Sequence, residues 1–86
     1  MYKVIWLRAA LRNVTAVLDR TSDHEAVFHA MDEVDRELSR NPQVCGESRE
    51  RNGRRIYFVG PLVVTFRIDE HRKVVLISRV GLAKRG

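Results

Sequence analysis

Arginine is the residue whose number and placement in this sequence point to chemistry. Thirteen of the sixteen basic residues are Arg. Arg49, Arg51, Arg54 and Arg55 crowd one stretch, Arg67 and Arg79 follow in apolar alternating segments, and Lys84-Arg85 come near the end. A guanidinium is a planar fork of donors that matches phosphate oxygens better than an ammonium does. Fixed guanidinium groups also stabilise the negative charge that develops when a 2′-hydroxyl attacks the adjacent phosphate. Tyr57 lies among these residues, with a ring for base stacking and a hydroxyl for proton transfer. The chemistry so indicated is RNA binding, with RNA cleavage as its extension.

Other chemistries find less support. His24 and His29 are five residues apart, which on a helix turns them about 140° from a common face. His71 and Cys45 stand apart from both, so no metal site is expected. Cys45 as a nucleophile would need a histidine or basic partner and a depressed pKa; beside the turn glycine Gly46 it reads as structural. Gly53 and Gly60 are isolated and read as hairpin glycines, not as a phosphate loop. The acids cluster on one predicted helix at the spacing of a solvated face. No cofactor is expected.

Charge is distributed unevenly. The chain of 86 residues carries a net charge of +5. Residues 1–44 hold six basic and seven acidic residues, whereas residues 45–86 hold ten and four. The positive excess therefore belongs to the second half, where a polyanion is the expected partner. The length suits one domain, 1–86. No apolar run approaches the roughly 18 residues of a membrane span. The opening MYKVIWLRAALR is interrupted by charge and does not read as a signal peptide. A single cysteine suits a reducing cytoplasm.

Periodicity gives the elements that must position the arginines. Residues 2–7 read as a strand, with Tyr2, Val4 and Trp6 on one face and Lys3, Ile5 and Leu7 on the other. Leu7, Leu11, Val14 and Val17/Leu18 mark an amphipathic helix over about 8–20. Ser22 with Glu25 fits a capping box, so a second helix starts near 23 with Val27, Ala30, Met31, Val34 and Leu38 inward. Asn41-Pro42 ends it. A weak strand at 44–50 and three strands at 54–59, 62–69 and 73–80 follow, joined by hairpins. The predicted fold is α+β: one two-layer domain with an N-terminal strand, two helices and a three- or four-stranded antiparallel sheet. With Leu62, Val64, Phe66 and Ile68 toward the helices, Arg55, Tyr57, Thr65, Arg67, Ile77 and Arg79 are expected to share the opposite face.

Three stretches resemble the RelE/ParE superfamily of bacterial toxins. They are Val34-Asp35-Arg36-Glu37-Leu38-Ser39-Arg40-Asn41-Pro42 with Gly46, the run from Arg54 through Gly60-Pro61 to Asp69, and Lys73 through Gly81 with Lys84-Arg85. The resemblance implies a small RelE-like toxin neutralised by a cognate antitoxin. In the RelE branch the toxin enters the ribosome and cleaves mRNA with basic residues and a C-terminal tyrosine. No tyrosine follows Tyr57 here, so Tyr57 takes that role in the reading. Arg54, Arg55 and Arg79 are then the catalytic candidates beside it. Arg49, Arg51, Arg67, Lys84 and Arg85 are the RNA contacts. In the ParE branch the target is DNA gyrase. Leu62 or Val63 at a position the family fills with a basic residue supports that alternative, or a toxin-fold protein acting by protein binding alone.

Overall fold

The computed structural model describes residues 1–48 and 53–83. The strands are β1 (Lys3–Trp6), β2 (Glu47–Ser48), β3 (Arg55–Val59), β4 (Leu62–Asp69) and β5 (Val74–Leu82), and the helices are α1 (Arg8–Arg20) and α2 (His24–Arg40). They form one five-stranded sheet in the order β1-β5-β4-β3-β2. β2 through β5 are antiparallel neighbours, while β1 runs parallel to β5. The two helices between β1 and the later strands supply the long crossover that a parallel pair requires.

Both helices form where predicted, but the buried stripe of α1 is displaced: Ala10, Val14 and Val17 are buried, while Leu7 and Leu11 of the expected stripe are exposed. α2 buries Val27, Ala30, Val34 and Leu38. The cap of α2 differs from the expected capping box. Asp23, not Ser22, is the N-cap, and its Oδ1 accepts from the Ala26 amide at 3.1 Å. A carboxylate there satisfies an orphan donor and favours the positive end of the helix. Pro42 begins a 3₁₀ turn, Pro42–Val44, and is itself buried.

The helices cover one face of the sheet. Val59, Leu62, Val64, Phe66, Val75, Ile77 and Val80 point into that layer and meet the helix stripes. β1 is tied to α2 by the Trp6 Nε1 donor to Asp35 Oδ1 at 2.7 Å and by the Tyr2 amide to the Ser39 carbonyl at 2.8 Å. Among the described residues, no helix is long and apolar enough to cross a membrane.

Two local irregularities decide which side chains reach the uncovered face. The first is the β3–β4 turn. Gly60 at φ +52° followed by Pro61 suits a two-residue type II′ hairpin, which pairs Val59 with Leu62. Directly paired residues share a face, so Val59 goes in with Leu62 and the whole parity of β3 is set. The second is a register shift in β4–β5. Thr65 pairs with Arg79, but Phe66 pairs with Ile77, so Ser78 has no opposite number. The extra residue is a β-bulge, and it reverses the alternation of β5. A regular strand would continue Val75, Ile77, Arg79 into the core. The bulge sends Val80 inward instead and leaves Arg79 exposed.

Candidate functional site

The uncovered sheet face is built from alternate residues of all five strands. Reading across the paired positions, Phe58 and Val63 form one row, Glu47, Ile56, Thr65 and Arg79 the next, and Arg67, Leu76 and Ile5 a third. Val74 and Lys3 follow at the β1 edge. With strands about 4.8 Å apart and alternate residues about 6.8 Å apart, the Arg67 and Arg79 backbones stand roughly 8 Å from each other. Both side chains are exposed. They, with Lys3, bring positive charge to a face whose other members are mostly apolar, with Thr65 and the Glu47 carboxylate among them.

Two of the expected members lie elsewhere. Arg55 and Tyr57 share the parity of Val59 and point to the helix side of the sheet, opposite to the expectation. Ile77 is also corrected: it is fully buried, because the bulge lies beyond it. Arg55 sits at the sheet margin, where its guanidinium closes on three backbone carbonyls. Nε donates to Cys45 O at 3.1 Å, and one terminal nitrogen donates to Gln43 O at 3.0 Å and Gly46 O at 3.2 Å. The close approach depends on Gly46, at φ +65°, where a Cβ would stand 2.2 Å from the Ile56 carbonyl oxygen. Arg55 thus holds the chain between Pro42 and β2 against β3.

Tyr57 packs against the core beside Cys45. Burial pushes its hydroxyl above the ordinary value, and the Cys45 thiol and the α2 carboxylates Glu33 and Glu37 add to the rise. Cys45 is buried, and its Sγ donates to the Asn41 carbonyl at 3.3 Å. Burial and then Glu37 push its thiol up, against smaller opposing effects of Tyr57 and Arg55. Both shifts favour the neutral form of these packed groups.

Of the other candidates, Arg54 is exposed immediately before β3. Arg49, Arg51, Lys84 and Arg85 lie outside the described residues. The sequence reading missed Phe58. It is the aromatic ring on the uncovered face, 59% exposed, and has the place expected of Tyr57. The signal was present: a two-residue Gly60-Pro61 turn obliges Val59 to face with Leu62, which turns Phe58 out.

Comparison with known proteins agrees with this architecture. No family model matches the sequence, and no curated protein matches it. Among solved structures, the chain is similar to one in the RelBE2 toxin–antitoxin complex of Mycobacterium tuberculosis. The TM-score is 0.76 at 26% identity, over 95% of this chain and 98% of that one. It is also similar in fold to a chain of the chromosomal ParDE toxin–antitoxin system of P. aeruginosa, with a TM-score of 0.67 at 22% identity over 98% of each. With its strand–helix–helix–sheet order, two-layer packing and these neighbours, the chain has the RelE-like toxin fold.

Proposed function

We propose that this chain is the toxin of a type II toxin–antitoxin pair and acts in the RelE manner, as a cytoplasmic endonuclease on ribosome-bound mRNA. The solved relatives are toxin–antitoxin proteins, which supports a cognate antitoxin as its partner. The observation that carries the nuclease reading is the presence of Arg67 and Arg79 on adjacent strands of one uncovered face, with Phe58 two rows from Arg67. In this reading the guanidinium groups take the phosphate oxygens and Phe58 takes a base. The 2′-oxygen attacks phosphorus, the 5′-oxygen leaves, and the two arginines offset the charge that gathers on the phosphoryl oxygens. The proton from the 2′-hydroxyl passes to a group of the ribosome, and the departing 5′-oxygen takes up a proton from water. Primer extension on mRNA bound to purified ribosomes tests this. New cleavage ends are expected with the toxin, reduced at least about tenfold by Arg79→Ala. No new ends at toxin concentrations that arrest growth would reject it.

A second reading is favoured by the apolar character of the same face. Ile5, Ile56, Phe58, Val63 and Leu76 lie around the cations, and contiguous apolar surface marks protein docking. A ParE-like toxin would use this face on gyrase. Growth arrest with intact mRNA and inhibited supercoiling in a purified gyrase assay would favour it.

A further inference from the structure

The β-bulge at Ser78 has two polar ties, one from within the sheet and one from the helix layer. Ser78 Oγ donates to the Thr65 carbonyl at 3.4 Å. The Val80 amide donates to Asn13 Oδ1 at 3.0 Å. The second tie is needed because β1 stops. Its pairing with β5 ends at Trp6 opposite Ile77, followed by the Leu7 amide to the Ile77 carbonyl at 2.9 Å. Val80 lies beyond that point, on the edge of β5 that α1 packs against. Asn13 is on the margin of the buried stripe of α1, next to Val14. Its side-chain oxygen takes the place of the strand that is not there. A partly buried amide left without an acceptor is unfavourable, so this bond fixes the backbone there.

We propose that Asn13 is a positioning residue for Arg79. It does not reach the uncovered face. It holds the β5 segment in the bulged register that places Val80 in the core and Arg79 outside. The inference rests on the reading of Arg79 as an RNA contact, and extends it by a residue of the opposite layer. Arg67, on the regular part of β4, needs no such support. Asn13 therefore couples to Arg79 and not to Arg67.

The test joins amide exchange with a double-mutant cycle in the full chain, using a single-stranded oligoribonucleotide as the probe. In Asn13→Ala the Val80 amide is expected to exchange at least about tenfold faster, with the rest of β4 and β5 unchanged. Asn13→Asp, which keeps the acceptor oxygen, restores slow exchange. Oligonucleotide affinity falls about three- to tenfold in Asn13→Ala, and Arg79→Ala adds little to that loss, whereas Arg67→Ala adds its full effect. A merely structural role would weaken all three backgrounds alike. Unchanged Val80 exchange, or losses for Asn13→Ala and Arg79→Ala that multiply, would overturn the inference. If Arg79→Ala binds the probe as well as the parent chain, the RNA reading of the face fails. Val80 exchange then decides the role of Asn13 by itself.

Discussion

Tyr2 and Glu70, 68 residues apart in sequence, share a hydrogen bond of 2.5 Å from hydroxyl to carboxylate. Gln43 contacts the same hydroxyl and donates to the other carboxylate oxygen at 2.9 Å. Lys73 lies 3.6 Å from Glu70 and 5.0 Å over the Tyr2 ring. This cluster ties the start of β1 to the turn after α2 and to the β4–β5 hairpin, at one end of the sheet. The donors, Tyr2 first and Gln43 next, hold the Glu70 carboxyl below its ordinary 4.5.

A group depressed on folding stabilises the fold above its unfolded pKa and loses that effect as pH falls through the folded value. The thermal midpoint is therefore expected to fall as the pH drops below about 4.5. Glu70→Gln should flatten that part of the profile. Equal slopes for the two proteins in a pH series of thermal melts would count against the linkage.

Arg55 is expected to matter for stability. Removing its three carbonyl bonds in Arg55→Ala should cost about 2–3 kcal/mol, on the scale of bonds made by a charged donor. Arg55→Lys should recover less than half, since an ammonium cannot span the same carbonyls as a guanidinium fork. Urea unfolding of the two variants measures both.

Tyr57 gives the opposite expectation to the one its sequence position suggests. Its hydroxyl is on the helix side and is pushed above its ordinary value. Tyr57→Phe should arrest growth on induction as the parent chain does, while Arg79→Ala relieves the arrest. Loss of arrest in Tyr57→Phe, with the protein folded by circular dichroism, would restore the tyrosine to the mechanism.

Phe58 should carry affinity and little stability. Stacking of a base on an aromatic ring contributes about 1–3 kcal/mol, so Phe58→Ala should weaken binding of a single-stranded oligoribonucleotide about 5- to 150-fold. Its melting temperature should stay close to that of the parent, because more than half of the side chain is already in water. Fluorescence anisotropy and a thermal melt read the two effects separately.

Much of the molecule was legible from the order of residues alone. The helix at 8–20 has the predicted bounds, the strand at 62–69 likewise, and the α2 stripe from Val27 to Leu38 faces inward as its spacing requires. These elements follow from local periodicity and local stop signals, which are properties of short windows. The concentration of arginine in the second half was likewise a matter of counting. Which face each arginine occupies was not. That depended on a two-residue turn that set the parity of β3, and on one unpaired residue, Ser78, that reversed the parity of β5. A strand has a period of two, so a shift of one residue moves every later side chain to the other face. Such a shift is decided by what lies across the sheet and beneath it. Arg55 went to the carbonyls of residues 43–46, Phe58 went outward in place of Tyr57, and Arg79 reached the open face with Asn13 of the helix layer anchoring the next amide.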